Sequence, residues 1–409
     1  MIPGVLSAHG IDHGWRVLLF LALAGSFTST IYLALTLVAT VRYLRRARAA
    51  EAAARATPFS SLPPVTIFKP VHGAEEQLAA NLESFFQQDY PNYELIFGVR
   101  HTDDAAARVA EEVRTRYPHI PSRTIVSGFP AWPNAKVFSL DKMIAASSHS
   151  YFIISDSDVR VAPDFLRHTI PPLLESKTGL VTCMYRGLPA ADLWSRLEAL
   201  GLSVEMSSGV MVADMMEGMR FALGPAMAVR RDAIDAIGGI AVVASYYSDD
   251  FELGNRIWAG GFKVVLSHHI VENVLTSRSP LRTLGDQLRW MKSTRYSRPV
   301  GHAGTGLTYA MPFGILGLIS AAAIGQWQLG IGLLALAFLN RVIQCVIVGW
   351  AVARDPRAVW YGWLYPVRDF LGFVAWVLSY TSRKFYWRGE MYSFGKGGRI
   401  APLDRPNTG

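Results

Sequence analysis

A chain of 409 residues with 51% hydrophobic and only 18% charged content is too apolar for an ordinary soluble protein, yet long enough for two or three domains with a sizeable core. Its formal net charge of +8 calls for an anionic partner: nucleic acid, an anionic membrane face or a phosphorylated substrate. The two cysteines, Cys183 and Cys345, have no metal-type spacing; they argue against a disulfide framework, a cysteine zinc site and a thiol-redox pair, and suit a reducing compartment.

Residues 1–16 read as a non-cytoplasmic segment ahead of the first long apolar run, residues 17–41, which is long enough to cross a bilayer. Arg42, Arg45, Arg46, Arg48 and Arg55 follow that run, against Arg16 alone before it. The excess predicts a cytoplasmic trailing flank, with a basic linker over 42–63 and an N-terminus facing outward. A cleaved signal peptide fits less well, because one arginine makes a weak n-region and the apolar stretch exceeds the usual h-region.

Residues 64–276 read as a soluble α/β domain. The short apolar runs VTIFKP, YELIFGVR, SRTIVSG, YFIISDSD, GLVTCMYR and KVVLSHH alternate with helical stretches over about 78–88 and 105–117. Such alternation predicts a mostly parallel sheet flanked by helices, in which ligands bind beyond the carboxyl ends of strands. Asp103 and Asp104 follow one such end, and Asp156 and Asp158 another.

Each polar cluster at these ends has two readings. In HTDDAA, Asp103 or Asp104 can cap the next helix, while the other lies where a nucleobase or ribose is gripped. In PNAKV, Lys136 is either a solvated loop lysine or a point charge facing a phosphate. In YFIISDSDVRV, Asp156 and Asp158 serve a turn before Pro163 and Asp164, or share one Mg²⁺ or Mn²⁺ whose shell is completed by water and substrate phosphates. In YYSDDFELGNRI, Asp249, Asp250 and Glu252 either favour a helix start or supply a base, which needs partial burial to raise a carboxylate pKa from about 4.

Residues 277–300 predict an amphipathic helix whose Arg289, Lys292, Arg295 and Arg298 recur at threes as one basic face for an anionic bilayer surface; Arg289 is also suited to neutralise a departing diphosphate. Residues 301–382 are membrane-like, with candidate spans at about 307–324, 329–351 and 360–380. Arg368 and Asp369 inside the last are costly in lipid unless they pair or face a cavity. Three full spans also place the basic tail 383–409, with Arg383, Lys384 and Arg388, on the outer side, against the positive-inside rule. A partly interfacial or re-entrant last segment relieves that conflict.

Taken in order, KPVHGAEEQLAANLESFFQQDYPNYELIFGVRHTDDAA, NAKV, ISDSDVRV, YYSDDFELGNRI and QLRW resemble the ceramide glucosyltransferase group, membrane-embedded family 2-type glycosyltransferases with a GT-A nucleotide-sugar fold. The resemblance covers the whole soluble region. It implies that Lys69, Asp104, Lys136 and Asp156 bind a UDP-sugar donor, that Asp156 and Asp158 hold Mg²⁺ or Mn²⁺, that Asp250 is the general base, and that Arg289 and Trp290 close the R-W signature. One departure stands out: the leading Q/R position of that signature is Asp286 here, and Gln287 comes one residue late. Within the group, SRLEALGLSVEMSSGVMVADMMEGMRFALGP and QLRWMKSTRYSRPVGHAGTGLTYAMPFG are most similar to bacterial hopanoid-associated members, which implies UDP-N-acetylglucosamine as donor, bacteriohopanetetrol as acceptor and a bacterial inner membrane, with the catalytic domain cytoplasmic.

The expected reaction is a single displacement with inversion: one base and in-line attack invert, whereas retention needs a nucleophile that nothing here marks. Ceramide glucosyltransfer from UDP-glucose is the alternative pairing of donor and acceptor. A processive polysaccharide synthase needs a channel, for which four candidate spans are few. A receptor that only binds a nucleotide sugar has no need of Asp250. Nucleic-acid binding fits least, since the basic residues cluster at membrane flanks.

Overall fold

The continuous apolar runs form strands because a parallel sheet covered on both faces buries every residue of a strand. The computed structural model describes residues 3–277, 279–387 and 390–403, the side chains of 3–11 excepted. The chain divides into two compact units: a helical one (residues 1–41, 196–212 and 279–383) and an α/β one (42–195, 213–278 and 384–409).

In the α/β unit the strands are β1 (Val65–Pro70), β2 (Tyr93–Val99), β3 (Ser122–Val126), β4 (Tyr151–Ser155), β5 (Val159–Arg160), β6 (Thr178–Thr182), β7 (Tyr185–Leu188), β8 (Ala226–Arg230), β9 (Lys263–Leu266), β10 (Val271–Val274), β11 (Lys384–Trp387), β12 (Glu390–Phe394) and β13 (Ile400–Pro402). A seven-stranded sheet runs β3-β2-β1-β4-β8-β6-β9. Its strands β3, β2, β1 and β4 pair in parallel, β8 is antiparallel to both neighbours, and β6 pairs with β9 in parallel. The expected single strand GLVTCMYR is two: β6 stays in the large sheet, while β7 joins β10 and β5 in a smaller one. Helices Leu78–Phe86 and Ala105–Arg116 form where the sequence marks them.

Two expectations at the edges of this unit are corrected. The linker over 42–63 is helical as far as Ala56, as part of one helix, Pro3–Ala56. There Arg46 pairs with Asp214 at 2.8 Å and Arg42 donates to the Met215 carbonyl. The tail is a three-stranded sheet, β11-β12-β13, bonded to this unit through Ile400 N and the Ser245 carbonyl at 2.8 Å; Arg388 lies outside the described residues.

Among the described residues, two helices are long and apolar enough to cross a membrane, Asp12–Ala56, whose first part as far as Val41 belongs to the helical unit, and Trp327–Val352, which lies within it. Much of their apolar surface is exposed, unlike the core helices of a soluble protein. The other two expected spans shrink to Met311–Ala323 and Tyr365–Leu378, each about 20 Å at 1.5 Å per residue against a hydrocarbon core of about 30 Å. Arg368 and Asp369 are paired as lipid demands: Arg368 with Glu205 at 2.9 Å, Asp369 with Arg341 at 3.2 Å. Asp369 also accepts from the backbone N–H groups of Ala310 and Met311, satisfying the start of the Met311–Ala323 helix.

The basic face expected on the helix Pro280–Ser297 is not free. Lys292 is buried, Arg289 holds Asp286 at 2.8 Å, and Arg295 donates to the Ser379 carbonyl at 2.7 Å. Spacing at threes gathers the charges on one side but does not say whether that side meets lipid or protein.

Candidate active site

The exit of β4 is held from below by Lys69 on β1. Its ammonium donates to Ser155 Oγ at 3.3 Å and to the Asp156 carbonyl, and lies 3.9 Å from the Phe85 ring centre. Burial pulls the Lys69 pKa down to about 7, against the pull of Asp156 and Asp158. Lys69 was expected to touch the donor. With no exposed surface it instead fixes the backbone of Asp156.

Lys136 approaches Asp156 from the helix Ala135–Ala146. Asn134 caps that helix, its Oδ1 accepting from the N–H groups of Lys136 and Val137 at 3.0 and 3.3 Å. The Asn134 amide donates onward to the Tyr246 carbonyl and to Asp249 Oδ1, tying the cap to the start of the helix Asp249–Ala259. The Lys136 ammonium stands 2.6 Å from Asp156 Oδ1 and 3.6 Å from Asp249 Oδ2. Burial works to lower its pKa, but Asp156 and Asp249 together raise it.

Asp250 shares this space. A methyl group placed on Gly224 would lie 3.0 Å from Asp250 Oδ2 and 3.5 Å from Asp156 Oδ2, so the glycine leaves a small cradle between the two carboxylates. Burial first, and the neighbouring Asp249 second, push the Asp250 pKa up to about 6, with Lys136 opposing. Asp158 is likewise raised to about 6 by burial and by Asp156, while Asn273 and Lys69 act against the rise. The buried Tyr185 feels Asp250, Asp158 and Asp156 together.

Four carboxylates (Asp156, Asp158, Asp249 and Asp250) therefore face two ammonium groups (Lys69 and Lys136), an excess of two negative charges when all are ionised. The Oδ1 of Asp158 is enclosed and has no hydrogen-bond partner among the described residues, an arrangement that is costly unless a cation takes it up. These donors fit a hard divalent ion that takes one or two protein carboxylates and fills its shell with diphosphate oxygens and water.

Asp104 is committed elsewhere. It caps the helix Ala105–Arg116: its Oδ1 accepts from Ala106 N and Gly73 N at 2.9 Å, and its Oδ2 meets His72 Nδ1 at 2.7 Å. Burial would raise its pKa, but these bonds hold it below the usual range. The accessible partner in this pair is His72, 55% exposed against 5% for Asp104. Arg289 and the partly exposed Trp290 belong to the helical unit, where Asp286, at the departing signature position, pairs with Arg289.

The structure thus brings together Lys69, Lys136, Asp156, Asp158 and Asp250 from the expected set. It adds Asn134, Tyr185, Gly224 and His72, which no local pattern singled out, although the N-x-K spacing held the clue to a cap at Asn134.

Glycosyl transferase family 21 matches residues 18–400. The chain belongs to glycosyl transferase family 21. Ceramide glucosyltransferase 3 of Caenorhabditis elegans is 23% identical over 357 residues, spanning 84% of this chain and 75% of that protein. The ceramide glucosyltransferase of Komagataella phaffii is 34% identical over 116 residues, 27% of this chain and 23% of its own. Among solved structures, a mannosyltransferase from Pyrobaculum calidifontis in complex with GDP-Man and Mn²⁺ has a TM-score of 0.50 at 16% identity, covering 87% of this chain and 99% of that one. Together these make the family 21 member a ceramide glucosyltransferase-like, membrane-associated glycosyltransferase with a GT-A-type α/β fold.

Proposed function

We propose that this family 21 glycosyltransferase moves a sugar, with inversion, from a UDP-sugar to a hydroxyl of a membrane lipid, and that glucose and ceramide are its pairing. The observation that carries the reaction is Asp250, a half-buried carboxylate with its pKa pushed up to about 6, sharing the Gly224 cradle with Asp156. Such a group is a competent base near neutral pH. Asp250 takes the proton of the lipid hydroxyl, whose oxygen attacks the anomeric carbon as the bond to the diphosphate breaks on the opposite face. Lys136 presents its charge to the diphosphate, and His72, oriented by Asp104, meets the nucleobase. A divalent cation held by Asp156 and Asp158 supplies charge neutralisation at the departing diphosphate when bound. The resemblance gives Arg289 a similar task, which Arg289→Lys tests.

Glucose and ceramide rest on the names of the relatives. They carry more weight than the hopanoid resemblance, which no named relative supports. The deciding experiment incubates the purified protein and Mn²⁺ with UDP-glucose, UDP-N-acetylglucosamine or GDP-mannose. Each donor is paired with ceramide, bacteriohopanetetrol or diacylglycerol, and products are read by mass spectrometry and the anomeric configuration by NMR. A single β-glucosylceramide is expected. Exclusive N-acetylglucosaminyl-hopanoid would replace the pairing, a polymer ladder would make the protein a synthase, and an α-linked product would remove the inverting mechanism.

A further inference from the structure

Away from the acidic cluster, the α/β unit gathers three histidines around one aspartate. Asp164 and His168 are four residues apart at the short helix Phe165–Thr169, which puts both side chains on one face. His168 Nε2 lies 3.0 Å from Asp164 Oδ2, and His269, on the loop between β9 and β10, brings its Nδ1 to 4.0 Å from Asp164 Oδ1. One ligand atom from each of Asp164, His168 and His269 lies within 4.8 Å of the others. The two imidazoles stack with centres 5.5 Å apart, and the Phe165 ring walls off His269 at 5.6 Å.

We propose that Asp164, His168 and His269 form a zinc site with water as the fourth ligand. Two imidazoles and a carboxylate suit zinc rather than magnesium or calcium, which prefer oxygen alone. Neutral imidazole is the ligating form, and the two stacked rings turn their nitrogens toward the Asp164 carboxylate. A second, independent feature is His268: its Nε2 lies 3.0 Å from His168 Nδ1, the ring nitrogen left over when Nε2 binds the ion. A hydrogen bond at that position is the outer partner that fixes the tautomer of a ligating histidine. Tetrahedral bonds of about 2.0–2.1 Å bring ligand atoms to about 3.3 Å from one another, and Asp164, 54% exposed, is free to close that gap. The ion would pin the helix Phe165–Thr169 to the loop leading into β10, whose Asn273 hydrogen-bonds Asp158. Its role is then structural and separate from the donor-site cation, which sits among oxygens.

The test uses full-length protein, freed of any tag and stripped with EDTA. Zinc chloride is titrated calorimetrically, bound metal is counted by mass spectrometry, and Co²⁺ is substituted to read the visible bands of a tetrahedral site. One zinc per chain is expected, with a dissociation constant below about 1 μM. His168→Gln and His269→Gln abolish it, His268→Phe weakens it by about 10–100-fold, and Asp158→Asn leaves it unchanged. Asp164→Asn, a change at an exposed rim that leaves the circular dichroism spectrum intact, weakens zinc binding at least tenfold and shifts the cobalt bands. Zinc retained equally in the Asp164, His168 and His269 variants, lost only in Asp158→Asn, or not bound at all, would overturn the site. None of these readouts depends on sugar transfer.

Discussion

The Lys136 ammonium lies 2.6 Å from Asp156 Oδ1, and this contact ties the first turn of the helix Ala135–Ala146 to the exit of β4. Under the proposed function this ammonium is the charge that faces the donor's diphosphate. Replacing it by an apolar chain leaves the carboxylates facing one another with only the sealed Lys69 to offset them. Lys136→Met is expected to lower kcat/KM for the nucleotide sugar by about 10²–10³, the loss typical of a pre-positioned charge in a closed site. Lys136→Arg should rescue poorly, because a planar fork does not reproduce a point charge. Steady-state kinetics with varied donor decide both; wild-type rates in Lys136→Met would detach the residue from the donor.

Asp250 sets a pH dependence whose sign follows from its role. A base must be ionised, and burial together with Asp249 has moved its pKa up to about 6. The rate is therefore full above that value and falls about tenfold per unit below it. The profile of kcat/KM should show an acid limb with a midpoint near 6, and Asp250→Asn should cost about 10²–10⁴ in kcat while donor affinity changes only a few-fold. An unchanged acid limb in Asp250→Asn would remove it as base.

The ion-binding role proposed for Asp158 carries a cost in stability. Its folded pKa of about 6 stands above the ordinary carboxylate value. Protonated Asp158 thus favours the fold at low pH, and that benefit is lost as pH rises through about 4 to 6. At pH 7.5 the ionised side chain destabilises the metal-free protein. Asp158→Asn is expected to stabilise the metal-free protein by on the order of 1 kcal/mol after allowing for its accessible edge, read as a higher Tm, and to abolish the further rise in Tm on adding Mn²⁺ and UDP. Thermal unfolding with and without the ligands reads both effects, and a variant still stabilised by the ion would clear Asp158 of holding it.

Gly224 tests the cradle by filling it. A methyl group there would press on Asp250 Oδ2 at 3.0 Å, tighter than ordinary contact, in a backbone conformation open to any residue. Gly224→Ala should keep the fold and reduce kcat at least tenfold through displacement of the base. Retained activity would mean that Asp250 moves aside without consequence.

Much of this was legible in advance, for physical reasons. β1, β2 and β4 are buried along nearly their whole length, so their apolar runs stand out from the helices around them. β8 (AMAVR) does not, because alanine and methionine carry little strand signal, and only its place between β4 and β6 makes it central. Asp156, Asp158, Lys136 and Asp250 showed themselves as charges at element ends. The surroundings of Lys69 and Asp104 were not legible, because a sequence gives the charge of a side chain and not its exposure: one is sealed beneath the site and the other, as the capping reading allowed, accepts from three protein donors. Tyr185 and Gly224 matter only through neighbours distant in the chain.

The tail shows most clearly what charge alone conceals. Its basic residues point to a solvated end, whereas its aromatic residues hold Tyr247, whose ring lies 5.3, 5.2 and 5.5 Å from those of Phe385, Trp387 and Phe394. Arg399 donates to the Tyr246 hydroxyl at 3.1 Å, and the Tyr246 carbonyl accepts from Asn134. The sheet β11-β12-β13 thus grips the segment just before Asp249 and Asp250. The tail sheet belongs to the α/β unit, which predicts that both lie on one side of the membrane; three full crossings between them would forbid it. An epitope at the C-terminus should be digested, in sealed vesicles, together with one in the α/β unit. Arg399→Ala should lower kcat several-fold with little change in donor KM, and truncation after Arg383 should lower it further. A protected C-terminus beside a digested α/β unit would break this assignment of sides, and full kcat in both variants would show that the sheet leaves the base where it is.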